Sequence, residues 1–150
     1  MFKPRDPEFE AKVKTSFAKQ GAMQLIGGEL IAVEPGLVTL EMPMKDTITQ
    51  QNGFVHAGII TTMMDSAAGY AAFSLMEPEA AVLTIEFKTN LMAPARGNRF
   101  RFIGRVIKPG KTITFCEAEA IALEAGLPDQ KVSTMSATMM AVTDRPLIRP

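Results

Sequence analysis

The stretch QQNGFVHAGIITTMMDSAAGYAAFSLM, Gln50 to Met76, decides the fold. A polar turn carrying the single histidine, His56, runs into residues that are nearly all apolar or small. One acid, Asp65, interrupts them near the middle. A carboxylate among Met63, Met64, Ala67, Ala68, Tyr70 and Phe73 is costly to bury unless paired or hydrogen-bonded. Acids perturbed in this way cluster at functional sites; the structural alternative is a bond to Thr61, Thr62 or a neighbouring strand. The run is long enough to raise a membrane span, but the central charge and the small residues mark a buried soluble helix. Small residues at Ala57 and Gly58 leave its first amides approachable, and such an end attracts partial negative charge. Glu77 and Pro78 end it.

Working outward, Phe9, Val13 and Phe17 lie four apart, one stripe of an amphipathic helix over residues 7–19. Gly21 is its expected stop, giving an N-terminal helical segment over 1–22. Met23 to Val33 and Leu37 to Met42 read as two strands joined by a turn at Glu34, Pro35 and Gly36. Pro43 demotes the second strand, and Lys45 to Gly53 is a polar loop leading to the central helix. Beyond Pro78 the period changes to two. Ala81 to Met92 sets Leu83, Ile85, Phe87 and Leu91 against Thr84, Glu86, Lys88 and Asn90. Arg99 to Ile107, Thr112 to Leu123 and Lys131 to Val142 follow as strands. Pro109-Gly110 has the order of a type II turn, and Gly126 to Asp129 makes the next turn. Consecutive strands here are expected to be antiparallel neighbours. The plan is α+β over a single domain, residues 1–150: a long central helix wrapped by a curved antiparallel sheet of about six strands.

Sixteen basic and sixteen acidic residues give a formal net charge of zero, so no polyanionic partner is favoured and nucleic acid is not expected. One cysteine, Cys116, forms no intrachain disulfide and reads as an inert core thiol; the start of the chain shows no apolar signal region, so the cytoplasm is expected. One His and one Cys do not supply the usual zinc sets, and no metal is expected. A chain 47% hydrophobic with eleven Met residues predicts that another copy covers part of the surface.

Asn52, Gly53, Phe54, Val55, His56, Ala57 and Gly58, with Asp65 nine residues after the histidine, resemble the hotdog-fold acyl-CoA thioesterases of the phenylacetic-acid-degradation (PaaI) type, in the 4-hydroxybenzoyl-CoA thioesterase-like superfamily. That family carries Asn-Gly-x-x-His-Gly-Gly, then Asp at this spacing, and a Ser or Thr in the next strand that aligns with Thr84. The one departure is Ala57 in place of the first glycine after the histidine, which keeps the backbone N–H. The resemblance implies a homodimer, often doubled to a homotetramer, that hydrolyses acyl-CoA at sites on the dimer interface. Coenzyme A enters only as part of the substrate, with no cofactor. The rivals are a non-catalytic acyl-CoA binder and an acyl-thioester dehydratase or hydratase.

Geometry adds a constraint. His56 and Asp65 lie roughly 13 Å apart along one helix axis and about half a turn opposed, so they cannot serve one carbonyl together. If Asp65 works with the helix start near Ala57, that start comes from a second subunit, its helix reversed across a two-fold axis. The thioester oxygen would then accept from the amide of Ala57, helped by Gly58, while Asp65 attacks the carbonyl or activates a water. Asn52 and His56 are the expected holders of loop and thioester, and Thr84 the orienter of the water. Arg96, Lys108, Lys111 and Arg105, near turns or strand ends, are candidates for the coenzyme A phosphates. The apolar balance suggests a medium or long aliphatic chain, or an aryl-acetyl group.

Overall fold

A computed structural model describes residues 2–145, 147, 148 and 150. The order is α1 (Phe9–Ala18), α2 (Gly21–Ile26), β1 (Glu29–Glu34), β2 (Leu37–Pro43), a 3₁₀ turn (Asp46–Ile48), α3 (Ala57–Phe73), β3 (Ala81–Leu91), β4 (Arg99–Lys108), β5 (Ile113–Leu123) and β6 (Gln130–Val142). All six strands form one sheet with antiparallel neighbours, which curls around α3. No helix among the described residues is long and apolar enough to cross a membrane.

The N-terminal segment differs from the sequence expectation. Gly21 does not stop a helix but opens α2, and the strand expected from Met23 begins only at Glu29. Met23 and Ile26 are three apart and both buried, a helical spacing, and Gly27 closes the turn at φ 81°, where a side chain is disfavoured. The central helix also stops earlier than Met76. Ser74 turns its hydroxyl back onto the Ala71 carbonyl (2.7 Å) and accepts the Gly36 amide (2.8 Å), tying the β1–β2 turn to the helix end. Lys12 completes that end, donating to the carbonyls of Met76 (3.0 Å) and Glu77 (2.9 Å), where a cation suits the negative pole.

The order β1-β2-β4-β5-β6-β3 overturns the expected four-strand meander. Only β4, β5 and β6 run as neighbours; β3 pairs with β6 and lies at the far edge. The chain from Met92 to Asn98, with Pro94 inside it, is not a hairpin. It crosses at the start of α3, where the Ala95 carbonyl accepts from the Val55 amide (3.0 Å) and the Asn98 carbonyl from Met44 (2.9 Å). This delivers β4 to the edge of β2, whose buried Val38, Leu40 and Met42 pair with Gly104, Phe102 and Phe100. The expected type II turn at Pro109-Gly110 is absent as well, because Gly110 lacks the positive φ that turn needs. Glycine is required there by crowding: a Cβ would lie 1.9 Å from the Ile113 carbonyl oxygen.

The small residues of α3 are explained at Gly104. A Cβ there would sit 2.2 Å from the carbonyl carbon and oxygen of Ala67 and 2.5 Å from the Ala68 amide, so strand and helix meet backbone to backbone. Neither partner has a flexible side chain that could yield. Gly104→Ala is expected to destabilise the fold at the upper end of the roughly 1–3 kcal/mol typical of overpacking, or beyond it. A urea midpoint equal to wild type would contradict this. Cys116 faces the same core, and burial pushes its thiol pKa up to about 12, consistent with an inert residue.

Candidate active site

The loop before α3 is a small scaffold. Its Gln50 amide donates to the Phe54 carbonyl (2.8 Å), Gly53 closes the turn at φ 81°, and the His56 amide donates to Ile48 (2.9 Å). His56 is thereby held as the N-cap, with extended backbone (φ −59°, ψ 135°), and its Nδ1 accepts the Gly58 amide at 2.9 Å. An accepting Nδ1 leaves the proton of the neutral ring on Nε2. The His56 carbonyl accepts from Ile59 and Ile60. The amide of Ala57 has no acceptor among the described residues, whereas Gly58, expected to help it, is spent on the cap. One free N–H at the positive end of a helix is what this terminus presents.

Asn52 is exposed at the tip of the turn and does not line the adjacent cavity. The residue that does is Gln50, beside Ala57 and Ile60, with its side chain accepting the Asn52 amide. Gln50 carries no signal of its own in the sequence, lying just outside the Asn52 to Gly58 motif. Yet a tight turn projects its middle residues outward and leaves its first residue facing the helix.

Asp65 lies more than two turns into α3, half-buried, and accepts from the Thr84 hydroxyl at 2.8 Å. Thr61 and Thr62 are not its partners; they donate to the carbonyls of Ala57 and Gly58. The neighbouring strand is the partner, and a β-bulge makes that possible. Between Thr84 and Glu86 the β3–β6 register shifts, so Thr84 pairs with buried Met139 on the helix side while Glu86 pairs with Thr138 on the outer side. The strict alternation expected of Ala81 to Met92 fails at this bulge, which turns Thr84 toward the acid. Burial raises the Asp65 pKa from its ordinary value, with the Thr84 bond opposing. Its second oxygen makes no hydrogen bond among the described residues.

The two halves occupy separate cavities. Asp65 and Thr84 line one of about 570 Å³ between α3, β3, the end of α1 with the residues just after it, and the C-terminal residues Leu147, Ile148 and Pro150; Gln50 and Ala57 line another of about 410 Å³ at the helix start. The basic candidates separate too. Arg96 follows Ala95 at the helix start, but Lys108 and Lys111 flank the β4–β5 turn, next to Pro109 and Gly110, which line a cavity with Leu75 and Met76 at the other end of α3. Arg105 is paired with Glu119 at 2.8 Å.

Comparison with known proteins agrees with this architecture. A thioesterase family protein from Silicibacter pomeroyi is 50% identical, with 91% of this chain and 99% of that one superposed at a TM-score of 0.89. The PaaI protein of E. coli shares the fold, with a TM-score of 0.80 over 90% of this chain and 94% of its own at 13% identity. Human acyl-coenzyme A thioesterase 13 is 28% identical over 91 residues, 60% of this chain; the match spans 64% of that relative's length. The family model of the thioesterase superfamily matches residues 52–128, from the turn before α3 into the turn after β5 and just over half of the sequence. On that match, the chain belongs to the thioesterase superfamily.

Proposed function

We propose that the protein hydrolyses acyl-CoA thioesters as a homodimer, with Ala57 of one subunit and Asp65 of the other at each site. The observation that carries this reading is the placement of a free helix-terminal amide and a desolvated carboxylate on one rigid helix, in separate cavities. Neither half is complete alone. The superfamily membership, and a human relative named as an acyl-coenzyme A thioesterase, favour the thioester as substrate.

The exposed surface supports the dimer. β3 ends the sheet with an open backbone edge, and Leu83 (41%), Ile85 (51%), Phe87 (45%) and Leu91 (61%) stand exposed along it. An open apolar edge is a template for another strand. A second β3, antiparallel across a two-fold axis, buries these side chains and carries each Asp65 toward the opposite helix start.

In that site the thioester oxygen accepts from the Ala57 N–H as negative charge develops on it. Thr84 occupies one oxygen of Asp65 and leaves the other to hold a water. Asp65 takes a proton as the water attacks the carbonyl carbon. The carbon–sulfur bond breaks, and the departing thiolate receives the proton, giving free acid and coenzyme A. His56 positions the terminus through its cap, and Gln50 lines the carbonyl cavity. Arg96, nearest the helix start, is the candidate for a coenzyme A phosphate.

Thiol release from acetyl- through palmitoyl-CoA, with phenylacetyl- and hydroxybenzoyl-CoA, tests the proposal. Release above the uncatalysed rate with at least one ester is expected. Binding of these esters without any release would instead establish an acyl-CoA binder.

A further inference from the structure

Gly69 sits one turn beyond Asp65 on the same face of α3. Glycine weakens a helix interior relative to alanine, and packing among the described residues does not demand it here: a Cβ at position 69 meets none of their heavy atoms within 4 Å. Gly104 is the contrast, where a Cβ collides with backbone. The space left open at Gly69 belongs to the cavity of about 570 Å³ that holds Asp65 and Thr84. This groove follows α3 from Asp65 to Phe73, roughly 12 Å at the helical rise.

One wall is β3, from Ala81 to Thr84; Ser16, Lys19 and Gln20, from the segment before the sheet, bring polar side chains to the groove, and Leu147, Ile148 and Pro150 near the C-terminus line it as well. The Tyr70 hydroxyl lies 3.5 Å from the Ser16 hydroxyl, at the outer limit of a hydrogen bond, and Gln20 accepts from Ser66 at 3.3 Å. Tyr70 is fixed by edge-on contacts with Phe17 (5.6 Å between centroids) and Phe73 (6.2 Å). Each hydroxyl donates and accepts, so a pair this far apart keeps capacity for a third polar atom. A wholly apolar acyl tip against it would strip water from two hydroxyls and return nothing.

We propose that the groove opened by Gly69 holds the acyl group, and that Tyr70 and Ser16 select acyl groups bearing a hydrogen-bonding group at the far end over aliphatic ones of equal length. This rests on the thioester hydrolysis proposed above, and it makes α1 a specificity element. It also narrows the aliphatic or aryl-acetyl group that composition suggests to one with a polar tip.

The test is thiol release by the full chain with matched esters: hexanoyl- against 6-hydroxyhexanoyl-CoA, and 3-phenylpropanoyl- against 3-(4-hydroxyphenyl)propanoyl-CoA. Wild type is expected to favour the hydroxylated member of at least one pair by about tenfold or more in kcat/KM. Tyr70→Phe and Ser16→Ala should each bring that ratio toward one. Gly69→Ala should raise the melting temperature while lowering kcat/KM for these acyl groups relative to acetyl-CoA. A wild-type ratio near one, or a preference that survives both hydroxyl deletions, overturns the selection and leaves hydrolysis standing. A folded Gly69→Ala dimer with an unchanged acyl profile removes the groove from the site. No release with any ester overturns the hydrolysis itself.

Discussion

Asp65→Asn is expected to lower turnover at least about a hundredfold while leaving the melting temperature equal to wild type or higher. The loss follows from removing the acid proposed to activate water, a group whose proton transfer is typically worth about 10²- to 10⁴-fold. The stability half follows from linkage. Burial raises the folded-state pKa of Asp65 above its ordinary 3.8, so the folded protein holds that proton more tightly than the unfolded chain. The associated stability is fully present below the ordinary value and is lost as pH rises through the raised one. At neutral pH the charged acid therefore weighs against folding, and a neutral amide of the same shape relieves it while still accepting from Thr84. For the same reason the acid limb of kcat should lie above the ordinary carboxylate range. A mutant that loses activity only because it unfolds would show a lower melting temperature. Full activity in the mutant would mean that another group is the base.

Ala57→Pro should cost about 10²- to 10³-fold in kcat, the typical loss of one oxyanion-hole donor, with the fold intact. Proline is favoured at the first position of a helix, where its missing N–H has no intrahelical partner. The backbone of His56, at ψ 135°, already has the extended conformation that a following proline requires. The substitution thus deletes one hydrogen atom's worth of chemistry from a site that tolerates it sterically. Mixing the two inactive variants then tests the shared site. A heterodimer of Ala57→Pro and Asp65→Asn has one site with both defects and one with neither, so random exchange should restore about a quarter of wild-type activity. No recovery after confirmed exchange would place both groups of each site in the same chain and refute the trans arrangement.

Much of the molecule was legible in order along the chain. The period of two after Pro78 marked four strands within a residue or two of their ends. The apolar run from Ala57 marked the central helix, and the acid within it marked the candidate site. These features express local geometry: side-chain direction repeats every 3.6 or two residues, and helical rise converts a nine-residue spacing into a length. What depends on distant partners was not legible. Nothing in β3 or β4 states that Met92 to Asn98 crosses at the helix start instead of turning back, and so the meander was wrong. Met23 and Ile26 are equally good strand residues until their burial is seen. Thr84 meets Asp65 only because a bulge shifts the β3–β6 register.

The same division runs through the candidate active site. The sequence alone determined that a histidine, two small residues and an acid open and interrupt one long helix, and that His56 and Asp65 are too far apart to share a substrate atom. Only the tertiary structure decided which groups are free. Among the described residues it gave the Gly58 amide to His56 and left that of Ala57 without an acceptor, brought Gln50 and not Asn52 to the cavity, and left open space above Gly69. The physical reason is that spacing along a helix is fixed by covalent geometry and local hydrogen bonds. Whether an amide, a carboxylate or a missing side chain meets a neighbour, by contrast, is settled by elements far away in the chain.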